Sequence, residues 1–392
     1  MLSIPMSFKR SFFLTLAFGI CLTLGFAAGY LTRDRWLQPR EDFQIFNQAY
    51  DILRNQGLKP VPSPPAIEYG MIRGMLQAYA DPYTIFVEPA QHELESDALQ
   101  GSFGGIGVRL NRDAQGNVIL YPYPGSPASS AGILEGDHLV SVDDLTITGD
   151  VSLETIQASL RGPVGRYVRV AVMRPPDTTT WQFSIRRAEI PLPSVAWHVD
   201  ADSPKLGIIE INIIAASTAG EVRRAIDDLK TRQVSALVID LRNNFGGLLT
   251  AGVDIARLFL KDGEIIQHQF RDREVEVYRV EHPGPYIDIP LAILVNENTA
   301  SAAEIIAGAL KVHGRAQIVG TPTYGKDTIQ LVFDLQDKSS LHITAAHWWV
   351  PGLEPAIGSG GLQPDILVTP SADNAGPDPF VLAAAAALLR SK

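Results

Sequence analysis

Apolar residues at two different spacings divide the second half of the chain into strands and helices. Residues 236–242 and 291–296 are nearly continuous apolar runs, which is typical of strands in a sheet covered on both faces. Residues 220–231, 251–260 and 302–310 repeat apolar side chains at helical spacing. This alternation of strands and helices predicts an α/β core.

The first half shows a different pattern. Residues 41–56 and 66–80 read as two helices separated by a proline-rich stretch, and the apolar stripes of both helices are expected to be buried. Residues 96–188 contain short apolar runs separated by glycine-rich turns, which indicates a small, separate β-rich module. Residues 379–389 predict a helix that packs at the C-terminal end.

The N-terminal segment predicts a membrane anchor. Residues 12–31 carry no charge and follow Lys9 and Arg10. A helix of about 20 residues spans the hydrocarbon core of a bilayer. A cleaved signal peptide is the alternative, with a weak cleavage site near Ala27. We therefore expect the body of the protein outside the cytoplasm, anchored to the membrane, or secreted if the segment is removed.

Composition narrows the candidate functions. The chain has 392 residues, enough for two or three domains, and a formal net charge of −10, which excludes the basic stripe that a nucleic-acid partner requires. Cys21 is the single cysteine, so neither an internal disulfide nor a cysteine-based metal site is expected. The eight histidines lack metal-binding spacing. We predict no metal and no other cofactor.

Candidate chemistry lies where two strands end. Ser301 follows the strand at 291–296 and precedes a helix, and Lys326 follows a second apolar run at 316–320. A lysine can act as a general base near neutral pH only where burial lowers its pKa from about 10.4. Gln330 is four residues further on, so in a strand it shares a face with Lys326 and could hold the amine in place.

Two simpler interpretations compete with a serine nucleophile and a lysine base. Ser301 and Glu304 also fit a capping box, in which both side chains satisfy backbone N–H groups at the start of a helix. The run from Gly320 to Lys326 is one residue short of a phosphate-binding loop, but Asp327 stands where that loop needs Ser or Thr. Spacing alone leaves the nucleophile and the capping box open.

The module at 96–188 resembles a PDZ domain. The resemblance rests on Gly-Ser-Pro-Ala from residue 125, Gly132-Ile, Gly136-Asp and the following Leu-Val-Ser-Val. Such domains add an extended peptide to a sheet edge and hold its terminal carboxylate with backbone N–H groups. The resemblance implies that this peptide site is formed by Gly105, Ile106, Gly107 and Val108.

Three further motifs behind this module resemble the carboxy-terminal processing proteases of the S41 serine peptidase family. They are Asp240-Leu-Arg-Asn-Asn-Phe-Gly-Gly247, Val295-Asn-Glu-Asn-Thr-Ala-Ser301-Ala-Ala-Glu-Ile and Tyr324-Gly-Lys326-Asp-Thr-Ile-Gln330. The resemblance implies that Ser301 is the nucleophile, Lys326 the general base and Gln330 the residue that orients the lysine. It places the oxyanion hole at the N–H groups of Gly247 and Ala302, with Gly246 as the second choice.

The resemblance also implies a multidomain fold of mixed α+β and α/β type. Its parts are an N-terminal membrane helix, a helical segment, a PDZ-like β-domain, an α/β catalytic core of the S41 (ClpP/crotonase-like) type and a C-terminal helix. The corresponding ranges are 1–35, 36–95, 96–188, 189–370 and 371–392.

The implied activity is that of a serine endopeptidase that binds unstructured protein C-termini and cleaves near them. Two positions depart from the family pattern: Phe245 replaces a proline and Asp327 replaces a glycine. Three alternatives are a catalytically silent peptide-binding protein, a PDZ scaffold, and an esterase, although Ser301 lacks the Gly-x-Ser-x-Gly elbow of esterases. Protein or peptide substrates, the membrane and a second copy of the chain are the expected partners.

Overall fold

The computed structural model describes residues 43–369 and 377–389. The chain divides into two compact units, residues 1–72 and 73–392. The predicted membrane segment at 12–31 lies outside the described residues. Within the part that is described, no helix has both the length and the apolar character needed to cross a membrane.

The first unit contains helix α1 (Gln44–Gln56) and most of helix α2 (Pro64–Tyr79). Both helices form close to the predicted positions. The expectation that their apolar stripes are buried is wrong: no residue of either helix is buried, and Phe43 just before α1 is 67 % exposed. Helical spacing identifies a face that can be buried, but burial itself requires a packing partner.

A central six-stranded sheet forms the core of the second unit. In spatial order its strands are β10 (Val195–Val199), β11 (Leu206–Ile211), β12 (Ala236–Asp240), β15 (Leu291–Val295), β16 (Gln317–Gly320) and β19 (Ile366–Leu367). All neighbours are parallel except β10 and β11. The carboxyl ends of β12, β15 and β16 therefore meet at one edge.

Helices cover both faces of this sheet: α6 (Thr218–Thr231), α7 (Leu249–Arg257) and α8 (Ala302–Val312) pack on one face, and α9 (Pro379–Leu389) on the other. Leu237 and Ile239 of β12 join the first cluster, whereas Val238 joins the second. Successive side chains of a strand point to opposite faces, so a strand buried on both faces must be apolar throughout.

An antiparallel sheet flanks this core. Its strands are β1 (Ile85–Val87), β18 (Ser340–Trp349), β13 (Glu264–Phe270) and β14 (Glu276–Arg279), with β17 (Thr328–Asp334) also paired to β18. Ile85 lies opposite His342 and Val87 opposite Ser340. The short segment before the PDZ-like module is therefore a strand of this flanking sheet. A 3₁₀ turn, Ile357–Ser359, follows β18.

The PDZ-like module has its own sheet and core. Its elements are β3 (Val108–Arg112), β4 (Val118–Pro122), α4 (Pro127–Ala131), β5 (His138–Val142), β6 (Leu145–Thr146), α5 (Leu153–Leu160), β7 (Tyr167–Met173) and β8 (Thr180–Arg186). Helix α3 (Pro89–Gln100) leads into it. A ribbon of β2 (Ser102–Gly105) and β9 (Ala188–Pro191) joins the two ends of the module.

Candidate active site

Ser301 lies at the turn between β15 and α8. Its backbone has φ of 55° and ψ of −120°, a conformation that non-glycine residues seldom adopt and that costs of order 1–3 kcal/mol. Two hydrogen bonds hold the turn: Ala300 N–H donates to the carbonyl of Asn244 at 2.9 Å, and Ser301 N–H donates to Glu304 Oε2 at 2.8 Å. The surrounding structure therefore fixes the serine backbone in a strained position.

The glycine turn after β12 packs directly against this serine. Gly246 has φ of 99°, and a Cβ atom at this position would lie 2.9 Å from Ser301 Cβ and 3.1 Å from Ala302 N. Both the backbone conformation and the close approach require glycine here. The structure thus brings the turn and Ser301 into contact.

Two amide groups near Ser301 are candidates to bind an anion. Gly246 N–H donates to the buried Asn244 Oδ1 at 2.8 Å and is therefore occupied. The N–H of Leu248, the residue after Gly247, donates to the carbonyl of Ile214 at 2.8 Å and is also occupied. In the described ranges we find no acceptor for the N–H groups of Gly247 and Ala302. This arrangement favours Gly247 over Gly246 as the partner of Ala302.

Lys326 lies between β16 and β17, with its amine partly buried. Its Nζ donates to Gln330 Oε1 at 2.7 Å, and Gln330 Nε2 donates to the backbone carbonyl of Tyr83. Burial lowers the pKa of Lys326 below its usual 10.5, and the nearby Asp81 carboxylate opposes part of that shift. In the residues that the structure describes, no hydrogen bond joins Lys326 Nζ directly to Ser301.

Glu304 connects the serine and lysine segments. Its Oε2 accepts from Ser301 N–H at 2.8 Å and from Lys326 N–H at 3.0 Å. Its Oε1 accepts from Thr323 Oγ1 at 2.5 Å and from Gly325 N–H at 2.8 Å. The side chain is fully buried, and burial raises its pKa, whereas the four donors act in the opposite direction. An ionised carboxylate has enough acceptor sites for all four bonds.

Asp327 points away from the amine of its neighbour. Its carboxylate lies 3.8 Å from His347 Nδ1, and its backbone carbonyl accepts from Trp348 N–H at 2.9 Å. Asp81, not Asp327, is the carboxylate whose charge acts on the pKa of Lys326. Phe245, the other departure, is 72 % exposed beside the glycine turn.

The PDZ-like module carries a separate cavity of about 630 Å³. Ile106, Gly107 and Val108 line it, together with apolar residues such as Leu160 and Ile190. Gly105 is not part of this lining, although Ala188, which lies opposite it in the ribbon, is. The side chain of Ile106 itself belongs to the buried core of the module.

Sequence reasoning missed three residues that contact the predicted site. Glu304 was considered only as a capping residue, although Ser-x-x-Glu was the signal for at least one of its bonds. The sequence assigns no chemistry to Asp81 and Tyr83, and nothing local connects them with Lys326. Across residues 43–369 and 377–389, no group of three or more His, Cys, Asp or Glu side chains is arranged to hold a metal ion.

Comparison with known proteins gives concordant results. The profile of peptidase family S41 matches residues 205–368, and that of the PDZ domain matches residues 118–174. The chain is 35 % identical over 329 residues to a carboxyl-terminal-processing protease of Picosynechococcus sp., with 83 % of this chain and 79 % of that protein covered. The carboxy-terminal processing protease CtpB of Bacillus subtilis is 31 % identical, with 84 % and 68 % covered.

Among solved structures, the photosystem II D1 C-terminal processing protease is 31 % identical, with 88 % of this chain and 92 % of that chain covered and a TM-score of 0.46. The identity to several processing proteases over most of both lengths establishes the relationship. This chain therefore belongs to the carboxyl-terminal-processing proteases of peptidase family S41, and it is a serine-type hydrolase with a PDZ domain.

Proposed function

We propose that this peptidase uses Ser301 as nucleophile and Lys326 as general base, with Gln330 orienting the lysine. The observation that carries the proposal is the bond pair at Glu304 Oε2, which accepts from the backbone of both Ser301 and Lys326. One buried carboxylate thereby ties the nucleophile segment to the base segment. Positioning of this kind is a large part of how enzymes lower barriers.

In the proposed reaction, the neutral Lys326 amine takes the proton from Ser301 Oγ as this oxygen attacks the carbonyl carbon of the scissile bond. The resulting ammonium then gives a proton to the leaving nitrogen, the C–N bond breaks, and an ester on Ser301 remains. Lys326 then takes a proton from water as the water oxygen attacks the ester carbonyl carbon; the bond from this carbon to Ser301 Oγ breaks, the ammonium returns the proton to Oγ, and the second product leaves as a carboxylic acid. A lowered lysine pKa supports this role because it increases the neutral fraction of the amine.

The N–H groups of Gly247 and Ala302 are the proposed oxyanion hole. Each such donor contributes of order 3 kcal/mol to the stabilisation of a tetrahedral intermediate. The contact between Gly246 and Ser301 keeps the two amides beside the nucleophile. A helix start at Ala302 adds the positive end of the helix dipole.

The PDZ cavity is the proposed capture site for an unstructured protein C-terminus. Gly107 and Val108 lie on the cavity wall where β3 begins, and its lining is largely apolar, which favours an apolar terminal side chain. Cleavage would then occur nearby, at Ser301. We place Gly105 at the edge of this site, directly before Ile106 and Gly107 in the chain.

We further propose that residues 12–31 anchor the chain, or act as a cleaved signal, with the body outside the cytoplasm. The uncharged run after Lys9 and Arg10 supports this orientation. One relative is named as a chloroplastic carboxyl-terminal-processing peptidase. Assembly into a homo-oligomer is compatible with the sequence, and the light scattering of the purified chain would test it.

The decisive experiment is cleavage of an unfolded protein with an apolar C-terminus by the parent chain, by Ser301→Ala and by Lys326→Ala. We expect cleavage by the parent and a loss of at least about 10³-fold in both variants. Binding of the C-terminal peptide should survive in all three proteins. A folded parent that binds the peptide without cleaving would instead identify a silent binding protein, and Asp327→Gly would then test whether that side chain is the cause.

A further inference from the structure

We propose that Tyr83 is a positioning residue for the general base, acting through both its backbone carbonyl and its ring. The carbonyl sets the orientation of the Gln330 amide, and the ring covers the amine of Lys326. This inference rests on the proposed role of Lys326 as base. Tyr83 lies outside both matched regions, 205–368 and 118–174, so a segment before the PDZ domain completes the site.

The first part of the argument concerns the side-chain amide of Gln330. A backbone carbonyl can only accept a hydrogen bond, so the amide group that faces Tyr83 O must be the Nε2 donor. Oε1 is then turned toward Lys326 Nζ, 2.7 Å away. A neutral amine that donates one N–H to Oε1 keeps its lone pair available for the proton of a hydroxyl group.

The second part concerns the ring of Tyr83. The Lys326 Nζ atom lies 4.9 Å from the ring centroid, so the ring covers the amine on that side and reduces its contact with water. An aromatic face also attracts an ammonium ion, an effect that opposes deprotonation. Burial outweighs the opposing charge of Asp81 in setting the pKa of this lysine, and we expect the loss of the ring's cover to outweigh the loss of its attraction as well. Removal of the ring should therefore favour the charged form.

Tyr83 is itself fixed by neighbouring groups. Its N–H donates to Asp81 Oδ1 at 3.2 Å, and Thr84 Oγ1 donates to Asp81 Oδ2 at 2.5 Å. Thr344 N–H of β18 donates to Thr84 Oγ1 at 3.2 Å, and β1 then continues the segment into the sheet. The turn thus has little freedom relative to β17 and β18.

Several titratable groups face the amine and its cover. Asp81 acts on Lys326 by charge. Burial lowers the pKa of the half-buried His342, and the charges of His92 and Lys326 add to that shift while Glu95 opposes it. The pKa of the Tyr83 hydroxyl is raised to about 12, first by its hydrogen bond with Tyr324 and also by Asp327 and Glu304. The Tyr83 hydroxyl therefore stays neutral across the pH range of the activity measurements, and changes in activity with pH come from other groups.

The test measures the amine directly as well as the reaction. In the full chain with ¹³C-labelled lysine, the Lys326 resonance, identified by its loss in Lys326→Met, is titrated in Tyr83→Ala and Tyr83→Phe. We expect Tyr83→Ala to raise the titration midpoint and the acid limb of kcat/KM by about one pH unit, a loss of about tenfold below both pKa values. Tyr83→Phe, which keeps the ring, should stay within about twofold of the parent at every pH.

Tyr286→Ala is the matched control, because Lys230 Nζ lies 4.6 Å from that ring, which packs on Phe259. It should leave the Lys326 midpoint unchanged. An unshifted midpoint in Tyr83→Ala, or the same shift in Tyr286→Ala, would overturn the inference. A parent that does not cleave would count against the proposed reaction. If the Lys326 titration midpoint still differed between this parent and Tyr83→Ala, the inferred effect of the ring on the amine would stand.

The turn gives a second check. Asp81→Asn keeps an oxygen for Tyr83 N–H but loses the charge, so the acid limb should move to lower pH. Asp81→Ala also loses the acceptor, and its kcat should fall by about tenfold because Gln330 is no longer held. Equal kcat in the two variants would show that the turn does not position the base.

Discussion

The PDZ cavity and the candidate active site are built in opposite ways. The cavity is lined by residues between Phe103 and Pro193, from one module with its own hydrophobic core. The active site combines four segments: the turn at 81–84, the glycine turn at 244–247, the serine turn and the lysine segment. A binding surface can be local, whereas this catalytic arrangement depends on residues up to 247 positions apart.

The two regions also differ in what maintains them. The cavity wall is held by apolar packing, which tolerates volume-conserving substitutions. The active site is held by polar bonds to a buried carboxylate, and a buried polar group that loses its partners costs its full desolvation energy. Small changes should therefore weaken the cavity gradually and disable the active site abruptly.

The strongest test of this contrast is Glu304→Gln. The amide cannot accept on both sides, so two of the four donors to this side chain lose their acceptor. We expect kcat to fall by about 10³-fold and the free energy of unfolding by about 3 kcal/mol. The measurements are turnover of an unfolded substrate and chemical denaturation.

Glu221→Gln is the control for this loss of stability. Glu221 is also a buried carboxylate with three donors, Ser194 N–H, Val195 N–H and Ser217 Oγ, and it lies away from the site. Glu221→Gln should lower the free energy of unfolding by a similar amount and leave kcat within about threefold of the parent value. Equal losses of kcat in both variants would show that Glu304 matters only for folding.

Gly246→Ala should have the next largest effect. A methyl group would contact Ser301 Cβ and Ala302 N in a backbone conformation that alanine resists. We expect kcat to fall by about 10²-fold as the amides move, with peptide binding to the PDZ cavity unchanged. Gly116→Ala is the control, since it has φ of 90° but open space around it. Comparable loss in both would point to general destabilisation.

Val108→Asp addresses the cavity alone. It places a carboxylate beside the expected terminal carboxylate and removes an apolar contact. We expect KM for a substrate with a free C-terminus to rise by about tenfold, a change of about 1.4 kcal/mol, with kcat at saturation unchanged. Thr146→Asp, an exposed residue of the same module, should change neither constant. A fall in kcat would show that the cavity and the active site are not separable.

The smallest expected effect is the change in the free energy of unfolding when Lys326 is replaced. Because the pKa of Lys326 is lowered in the folded protein, folding is penalised wherever the unfolded lysine is charged. Lys326→Met should therefore raise the free energy of unfolding by about 1 kcal/mol near neutral pH. The gain should shrink as pH rises through the lowered pKa toward 10.5, the usual lysine value. Denaturation at several pH values measures this gain. A gain that stays constant or grows as pH rises would contradict the prediction.

These regions also differ in how far the sequence could predict them. Helix α8 and strand β15 form close to the predicted positions, because long periodic or continuous apolar runs leave few alternatives. Strands β13, β14 and β18 were not predicted, since polar residues such as His268 interrupt them and their pairing is set by distant neighbours. The contact of Gln330 with Tyr83 has no local signature at all.

The ribbon between β2 and β9 has a consequence for how this architecture can be recombined. Ser102 lies opposite Pro191, so the entry and exit of the PDZ-like module are side by side, as in a domain inserted into a loop of a host. The host, by contrast, needs β1 and the turn before it. A minimal peptidase should be made by replacing the inserted module with a short linker, because deleting everything before the module would remove Tyr83 as well.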